Sequence, residues 1–414
     1  MASPSPPPPT VGSFLHSVGI NSAVSYPGTS YYNNIPKVIS ALSYIGLDTL
    51  RDYAPNPRSR THWHNCGALA ALGIKFDFLV HGNGPVDITT ELSNLDAFAR
   101  AYPGSIIAIE GPNEINAWRI TYRGITDSFA AGAQVTKDLW TAVKQIPRLA
   151  KVPVYALTLS DGIDTISEDE KGLGNLSGYV SYGNAHVYGS GGNNVWTYDM
   201  PVWLPVQRLS TAGLPTVVTE TGYATATRPG TDAVDEIVAA KYNLNTIFDN
   251  ALNGIVRTYY FELADSLSSP QSYGFYNADW TPKAAAVALH NLTAILGRGG
   301  AGAAPHSLEY TITGLPATAH SLLLGSASGF VISVWNDVTI WDKAGGHQIA
   351  APAQTVTLNF AGTVARASLF DPLLNTSAIA TYADTSSVTL SLTDHPLIIR
   401  VDAGPAQSPD HQRH

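Results

Sequence analysis

Glu114 and Glu220 are the residues of this chain best placed to do chemistry. Each stands at or just beyond the end of a short apolar run, 106–110 for the first and 215–220 for the second. Two carboxyl groups facing one another across a cleft are what hydrolysis of a glycosidic bond requires. One holds a proton for the leaving oxygen, while the other is ionised and attacks the anomeric carbon. Other apolar runs also end in chemistry-bearing residues: Arg51-Asp52, His186-Val187-Tyr188 and Tyr259-Tyr260-Phe261-Glu262. A lone glutamate at a strand end is often only a satisfied structural carboxylate. Glu110, four residues before Glu114, reads as a group pointing inward or paired with a buried partner. Glu262 stays open between lining a cleft and neutralising an arginine.

For these side chains to meet, their strands must lie side by side. Between residues 12 and 297, eight runs with strand character alternate with helical stretches. The runs are 18–23, 49–53, 75–80, 106–110, 152–159, 184–187, 215–220 and 255–261. The helical candidates are 35–45, 92–102, 126–145, 202–211, 232–250 and 282–295. Such alternation implies a parallel sheet, and eight units of this length match a (β/α)8 TIM barrel, whose functional residues gather at the C-terminal strand ends. A doubly wound sheet would carry a Gly-rich phosphate turn after its first strand, and the sequence has none. A Gly/Ala-rich stretch over 297–305 reads as a linker. Beyond it helical periodicity vanishes, and short β-branched runs with turn residues between them predict an all-β sandwich over 304–403. The Pro-rich start, 1–11, and the polar end, 404–414, read as disordered tails.

Composition limits the partners. With 414 residues, 44% hydrophobic and 13% charged, the chain is globular. A formal charge of −9 argues against nucleic acid, which demands a basic footprint. No apolar run approaches the roughly 20 residues that a bilayer span needs. Cys66 is the single cysteine, so neither an intrachain disulfide nor a cysteine metal cluster can form.

The pattern resembles the clan A retaining glycoside hydrolases. Asn113-Glu114 after strand four looks like their acid/base, Glu220 ending strand seven like their nucleophile, and His186-x-Tyr188 like their motif after strand six. Arg51 stands where that clan commonly has an arginine beside the nucleophile. The trailing sandwich resembles several members, family 39 among them. The likeness implies a retaining mechanism through a glycosyl ester on a β-linked glycan and no cofactor, while the long aromatic-bearing loops favour endo action. Arg51 and Tyr188 would hold Glu220 ionised, Asn113 would bind the sugar 2-OH, and Glu114 would keep its proton beside the Glu220 charge. A secreted or periplasmic location is expected. One departure concerns the end of strand eight, where many members have tryptophan and this chain has Tyr259, Tyr260 and Glu262.

Aromatic rings can stack on the C–H faces of sugars. Trp118, Tyr223, Trp196, Tyr260 and Trp280 are candidate platforms, with Trp63 and Tyr122 beside them, although each could equally be core packing. The loops 190–201 and 265–280 bear several of these and suggest an extended cleft. His62, His64 and His81 invite a metal reading in which His186 could join, but they read better as loop and cleft polar groups, and no metal is expected. Asp161 and Asp164 read as turn residues. Two alternatives stay open beside the hydrolase: a non-catalytic sugar-binding barrel and a metal-dependent barrel hydrolase.

Overall fold

The computed structural model describes residues 8–31, 33–80, 83–160, 166–226, 230–265, 272–297, 302–304 and 307–402. His81, Asp161, Asp164 and most of the residues read as linker and tails lie outside them.

Eight parallel strands form the N-terminal sheet: β1 (Val18–Asn21), β2 (Thr49–Tyr53), β3 (Lys75–Leu79), β4 (Ile106–Glu110), β5 (Val154–Tyr155), β6 (Gly183–His186), β7 (Thr216–Thr221) and β8 (Ile255–Tyr260). They pair in the order β5-β4-β3-β2-β1-β8-β7-β6. A parallel bridge from Tyr155 to Tyr182, with Ala156 N donating to Tyr182 O, closes β5 onto β6. The eight strand positions read from the sequence are therefore those of a closed barrel. Side chains on one strand face alternate with period two. Ala108, Tyr155 and Val217 pack inside the barrel as a small apolar layer. Two residues further along β4 and β7, Glu110 and Thr219 face the same interior, which turns polar toward the strand ends.

Helices cover the outside for ordinary reasons. Helix Ile35–Ile45 buries Val38, Ala41, Leu42 and Ile45, one face at helical spacing, and stops at Gly46, whose φ of 72° is a left-handed cap. Helix Glu236–Leu252 is N-capped by Asp235, which accepts from Val238 N. The sequence missed helix Arg60–Ala71, because its buried residues include His62, Asn65 and Gly67 and so carry little apolar periodicity.

The C-terminal region is all antiparallel strand: β9 (Tyr310–Thr313), β10 (Ala319–Ser326), β11 (Gly329–Asn336), β12 (Gln354–Phe370), β13 (Ala378–Leu392) and β14 (Leu397–Asp402). The register of the long strands β12 and β13 shifts between Asn359 and Val364. Val356 and Leu358 before the shift, and Ala367 and Leu369 after it, belong to a single apolar core. The six strands form one connected sheet in the order β9-β12-β14-β11-β10, with β13 paired to β12. Strand β11 is buried on both faces. Phe330, Ile332 and Val334 enter that core, while Val331 and Trp335 join the barrel core. Trp335 stacks on Phe248 and donates from Nε1 to Asp249 Oδ1 at 2.7 Å.

Residues 8–10, read above as tail, are held. Gly325 N donates to Pro9 O at 2.8 Å, and Thr10 caps helix Val11–His16.

Candidate active site

Arg51, in β2, organises the barrel mouth. Its five N–H groups have five partners: Glu110 twice, at 2.8 and 2.7 Å, Asn21 at 2.8 Å, Asn113 at 2.7 Å and Glu220 at 2.6 Å. Both its guanidinium and Glu110 are buried, and the fork between them is bidentate. Glu110 is thus the inward, paired group that its position implied. Beneath it Asp77 is fully buried and finds no donor for either oxygen. Burial and the Glu110 charge push its pKa well up.

Glu220 receives Arg51 on Oε1 and the Tyr188 hydroxyl on Oε2, the latter at 2.6 Å. Burial opposes its charge, yet His186, Arg51 and the hydrogen bonds from Tyr188 and Arg51 outweigh burial and hold its pKa below the ordinary value. Tyr188 has its own pKa raised by burial and then by the Glu220 charge, so it remains a donor.

Glu114 approaches from β4. Its backbone has φ of 43°, a left-handed conformation costly for a residue with a Cβ. The loop holding it is over-determined. Glu114 N donates to Thr158 Oγ1 at 3.0 Å, Ile115 N to Thr158 O, and Trp118 N back to Glu114 O. His186 Nδ1 lies 2.9 Å from Glu114 Oε1 and 3.7 Å from Glu220 Oε2. Burial works against a charged His186, but both glutamates overcome it and raise its pKa. One side-chain donor atom each of Glu114, His186 and Glu220 lies within 4.8 Å of the others. Such a trio has the residue types of a metal site, but Arg51 and Tyr188 already occupy both oxygens of Glu220. The group is wired as a charge and proton network.

These residues line a cavity of about 620 Å³. Of the residues singled out in the sequence, Glu114, Glu220, Arg51, Asn113, Tyr188 and Trp118 line it, and His186 stands behind the two glutamates. Trp118 is half exposed at the rim. Glu262 also lines it, with its Oε2 held by Tyr31 at 3.0 Å. Burial, with Asp265 and Glu220 nearby, pushes Glu262 up to about 7 against that hydrogen bond.

Four aromatic candidates are elsewhere. Tyr260 points out of the barrel, packs on Phe275 and donates to Asn243 O, because adjacent residues of β8 face opposite sides. It is Phe261, one position on, that faces the cavity. Tyr223 is buried and donates to Asn193 O while accepting from Val195 N. Trp196 donates to Asn250 Oδ1. Trp280 packs edge-on against Tyr31 in the core. Trp63 and Tyr122 are likewise packing groups, against Phe98 and Asp138. The loop 190–201 does not frame the cleft either. It docks on the C-terminal sheet through Asn194 to Asp337 at 2.7 Å, with Gly192 against Trp341.

Tyr26, Tyr53 and Tyr273 line the cavity and were not singled out in the sequence. Tyr273 packs edge-on against Tyr188 at 5.2 Å. Its place in the loop 265–280 was the one available signal. The metal reading of His62 and His64 finds no support: they sit two apart on one helix, one buried and one exposed, so they do not share a face.

No protein-family model matches the sequence, and no curated protein does. Solved structures do match. A family 39 glycoside hydrolase from the gut symbiont Bacteroides cellulosilyticus WH2 aligns with TM-score 0.60 and 13% identity, over 94% of this chain and 82% of its own. The chain shares its fold with that family 39 glycoside hydrolase. A glucosidase from Croceicoccus marinus aligns with TM-score 0.61 and 12% identity, over 97% of each chain. The likeness spans barrel and C-terminal sheet together, so the two-part architecture is that of the family 39 protein.

Proposed function

We propose that this protein is a retaining β-glycoside hydrolase acting on a β-linked oligosaccharide or polysaccharide. One observation carries the reading: a carboxylate oxygen of Glu114 and one of Glu220 lie within 4.8 Å. Retaining enzymes hold their two carboxyl groups about 5–5.5 Å apart, whereas inverting ones leave roughly 6.5–9.5 Å for a water. Glu220, charged and gripped by Arg51 and Tyr188, attacks the anomeric carbon while Glu114 gives a proton to the departing oxygen. The glycosyl ester on Glu220 carries no charge. Glu114 then takes a proton from water, which attacks the anomeric carbon; the bond from that carbon to Glu220 breaks, and both groups are restored. Asn113 has its Oδ1 spent on Arg51, so its amide N–H groups are the ones that meet the sugar 2-OH. The half-exposed Trp118 at one rim and Tyr26 at another suit a chain longer than one sugar, which favours endo action.

The experiment is rescue. Glu220→Ala and Glu114→Ala should each lower turnover by at least about a thousandfold. Azide should restore the first and yield an α-glycosyl azide from a β-linked aryl glycoside, read by NMR. A folded Glu220→Ala protein that makes no azide product removes Glu220 from the nucleophile's role. Full activity in that variant would leave a sugar-binding barrel carrying a contaminant.

A further inference from the structure

A second cavity, about 290 Å³, lies beside the first. The two share Tyr26 and Tyr53 as a common wall. Those rings meet edge to face at 5.2 Å, and Tyr26 remains 43% exposed, so the wall is an aromatic ridge with an uncovered face. Beyond the ridge the lining is of a different kind. Asn56, Thr90 and Asn94 offer carboxamides and a hydroxyl, and His62 forms part of the wall. Three separate elements supply this lining: the segment after β2, helix Arg60–Ala71 and helix Ile88–Ala101. The helix that carries Thr90 and Asn94 is fixed at that end by Asp87, which caps Thr90 N at 3.1 Å.

An aromatic ridge with short polar side chains behind it matches the two surfaces of a pyranose, an apolar C–H face and a rim of hydroxyls. Charge narrows the ligand further. Among the described residues lining the two cavities, Arg51 is the one arginine or lysine, and all five of its N–H groups are committed inside the protein. Glu220 adds negative charge in the first cavity, and Glu91 adds it in the second. Burial lowers the pKa of His62 despite Asp52, so it supplies no cation near neutral pH. A carboxylate-bearing sugar would find repulsion and no partner.

We infer that the second cavity is a distal subsite that binds an uncharged sugar unit of the same glycan, across the Tyr26–Tyr53 ridge from the point of cleavage. The inference rests on the hydrolase reading and deepens it. The glycan crosses the ridge, so chain length, not only the bond cleaved, sets the rate.

The test compares chromogenic aryl β-glycosides with unsubstituted β-linked gluco- and xylo-oligosaccharides of increasing length, and with the same chains carrying one uronic acid. For wild type, kcat/KM should climb with length by about tenfold or more at the unit that fills the subsite, and the uronate chains should lose that gain. Asn94→Trp, which fills the cavity from a helix surface, should cut the ratio of long-chain to aryl-glycoside kcat/KM by about tenfold. Asn56→Ala, a smaller change, should move the same ratio in the same direction. Aryl-glycoside cleavage with no length dependence, or an unaltered ratio in both variants, overturns the subsite and leaves the hydrolase standing. Equal gain from uronate chains overturns the assignment to an uncharged sugar. Absence of cleavage for every substrate, aryl glycosides included, overturns the hydrolase reading and the subsite with it.

Discussion

At Glu220 burial and charge pull in opposite directions. The carboxyl is 7% exposed, which favours the neutral acid, and Arg51, His186 and Tyr188 together reverse that preference. The consequence is a pH profile. The acidic limb of kcat/KM, where Glu220 as the proposed nucleophile takes up its proton, should lie below the ordinary carboxylate range. Tyr188→Phe removes a donor to the charged form, so it should move that limb upward by about one pH unit. An unmoved limb would mean that Tyr188 only packs there. Glu262 shows the opposite case. Its pKa in the folded protein is about 7, above the ordinary value of 4.5. The folded state therefore binds that proton more tightly than the unfolded chain does, and stability falls as pH rises from about 4.5 through 7. Glu262→Gln should remove this slope, so its gain in melting temperature over wild type should be larger at pH 8 than at pH 4. Equal gains at the two pH values would contradict the assignment.

The elements matter because each reacting group is set by a neighbouring strand end. Among the bonds that hold the left-handed backbone of Glu114, the one to its own N–H comes from Thr158, just past β5, whose Oγ1 accepts at 3.0 Å. Thr158→Val keeps the shape and deletes the acceptor. An unpaired N–H costs on the order of 1–3 kcal/mol, and a misplaced acid costs rate out of proportion to distance. Turnover should drop about tenfold or more, with KM changed far less, in steady-state assays on an aryl glycoside. A variant with wild-type turnover would show that the loop keeps its form without this bond. The seam between β7 and β8 has a comparable constraint. Gly222, at φ of 154°, passes so close to Phe261 O that a Cβ would sit 2.7 Å from it. Glycine there lets the strand that carries Glu220 and the aromatic wall approach.

Across the whole molecule, the C-terminal sheet is part of the barrel's covering. Lys241 on helix Glu236–Leu252 pairs with Asp394 at 2.7 Å, and His395 bonds both Asp394 and Asp371. Burial opposes the Asp394 charge, but the hydrogen bonds from His395 and Lys241 hold it down to about 2. His395 has a raised pKa, because the two aspartates outweigh its burial. The signs differ. The Asp394 contribution is present above the ordinary carboxylate value near 3.8 and is lost as pH falls toward 2. The His395 contribution is full below its ordinary value of 6.5 and is lost as pH rises through its raised one. This cluster supports the junction best between about pH 4 and 6.5. Asp394→Asn should lower the melting temperature in that window by roughly 2–4 °C and flatten the acid side of the curve, measured by calorimetry. No change at pH 5.5 would show that the junction rests on Trp335 and its apolar neighbours alone.

Much of this was legible in the linear chain. Apolar runs alternating with helical periods marked all eight barrel strands, because burial on both faces makes such strands continuous and apolar. The strand ends then exposed Glu114, Glu220, Arg51, Asn113 and Tyr188, since a barrel brings strand ends together whatever lies between them. The aromatic wall was not legible. Whether Tyr260 or Phe261 meets the cavity depends on one residue of strand register, and Tyr26 and Tyr273 lie in loops whose course no local periodicity encodes. The five partners of Arg51 come from residues as far apart as 21 and 220. Sequence determined which groups could react and on which elements they ride. Only tertiary packing decided their separation, their charge and the rings that surround them, because those depend on contacts between segments hundreds of residues apart.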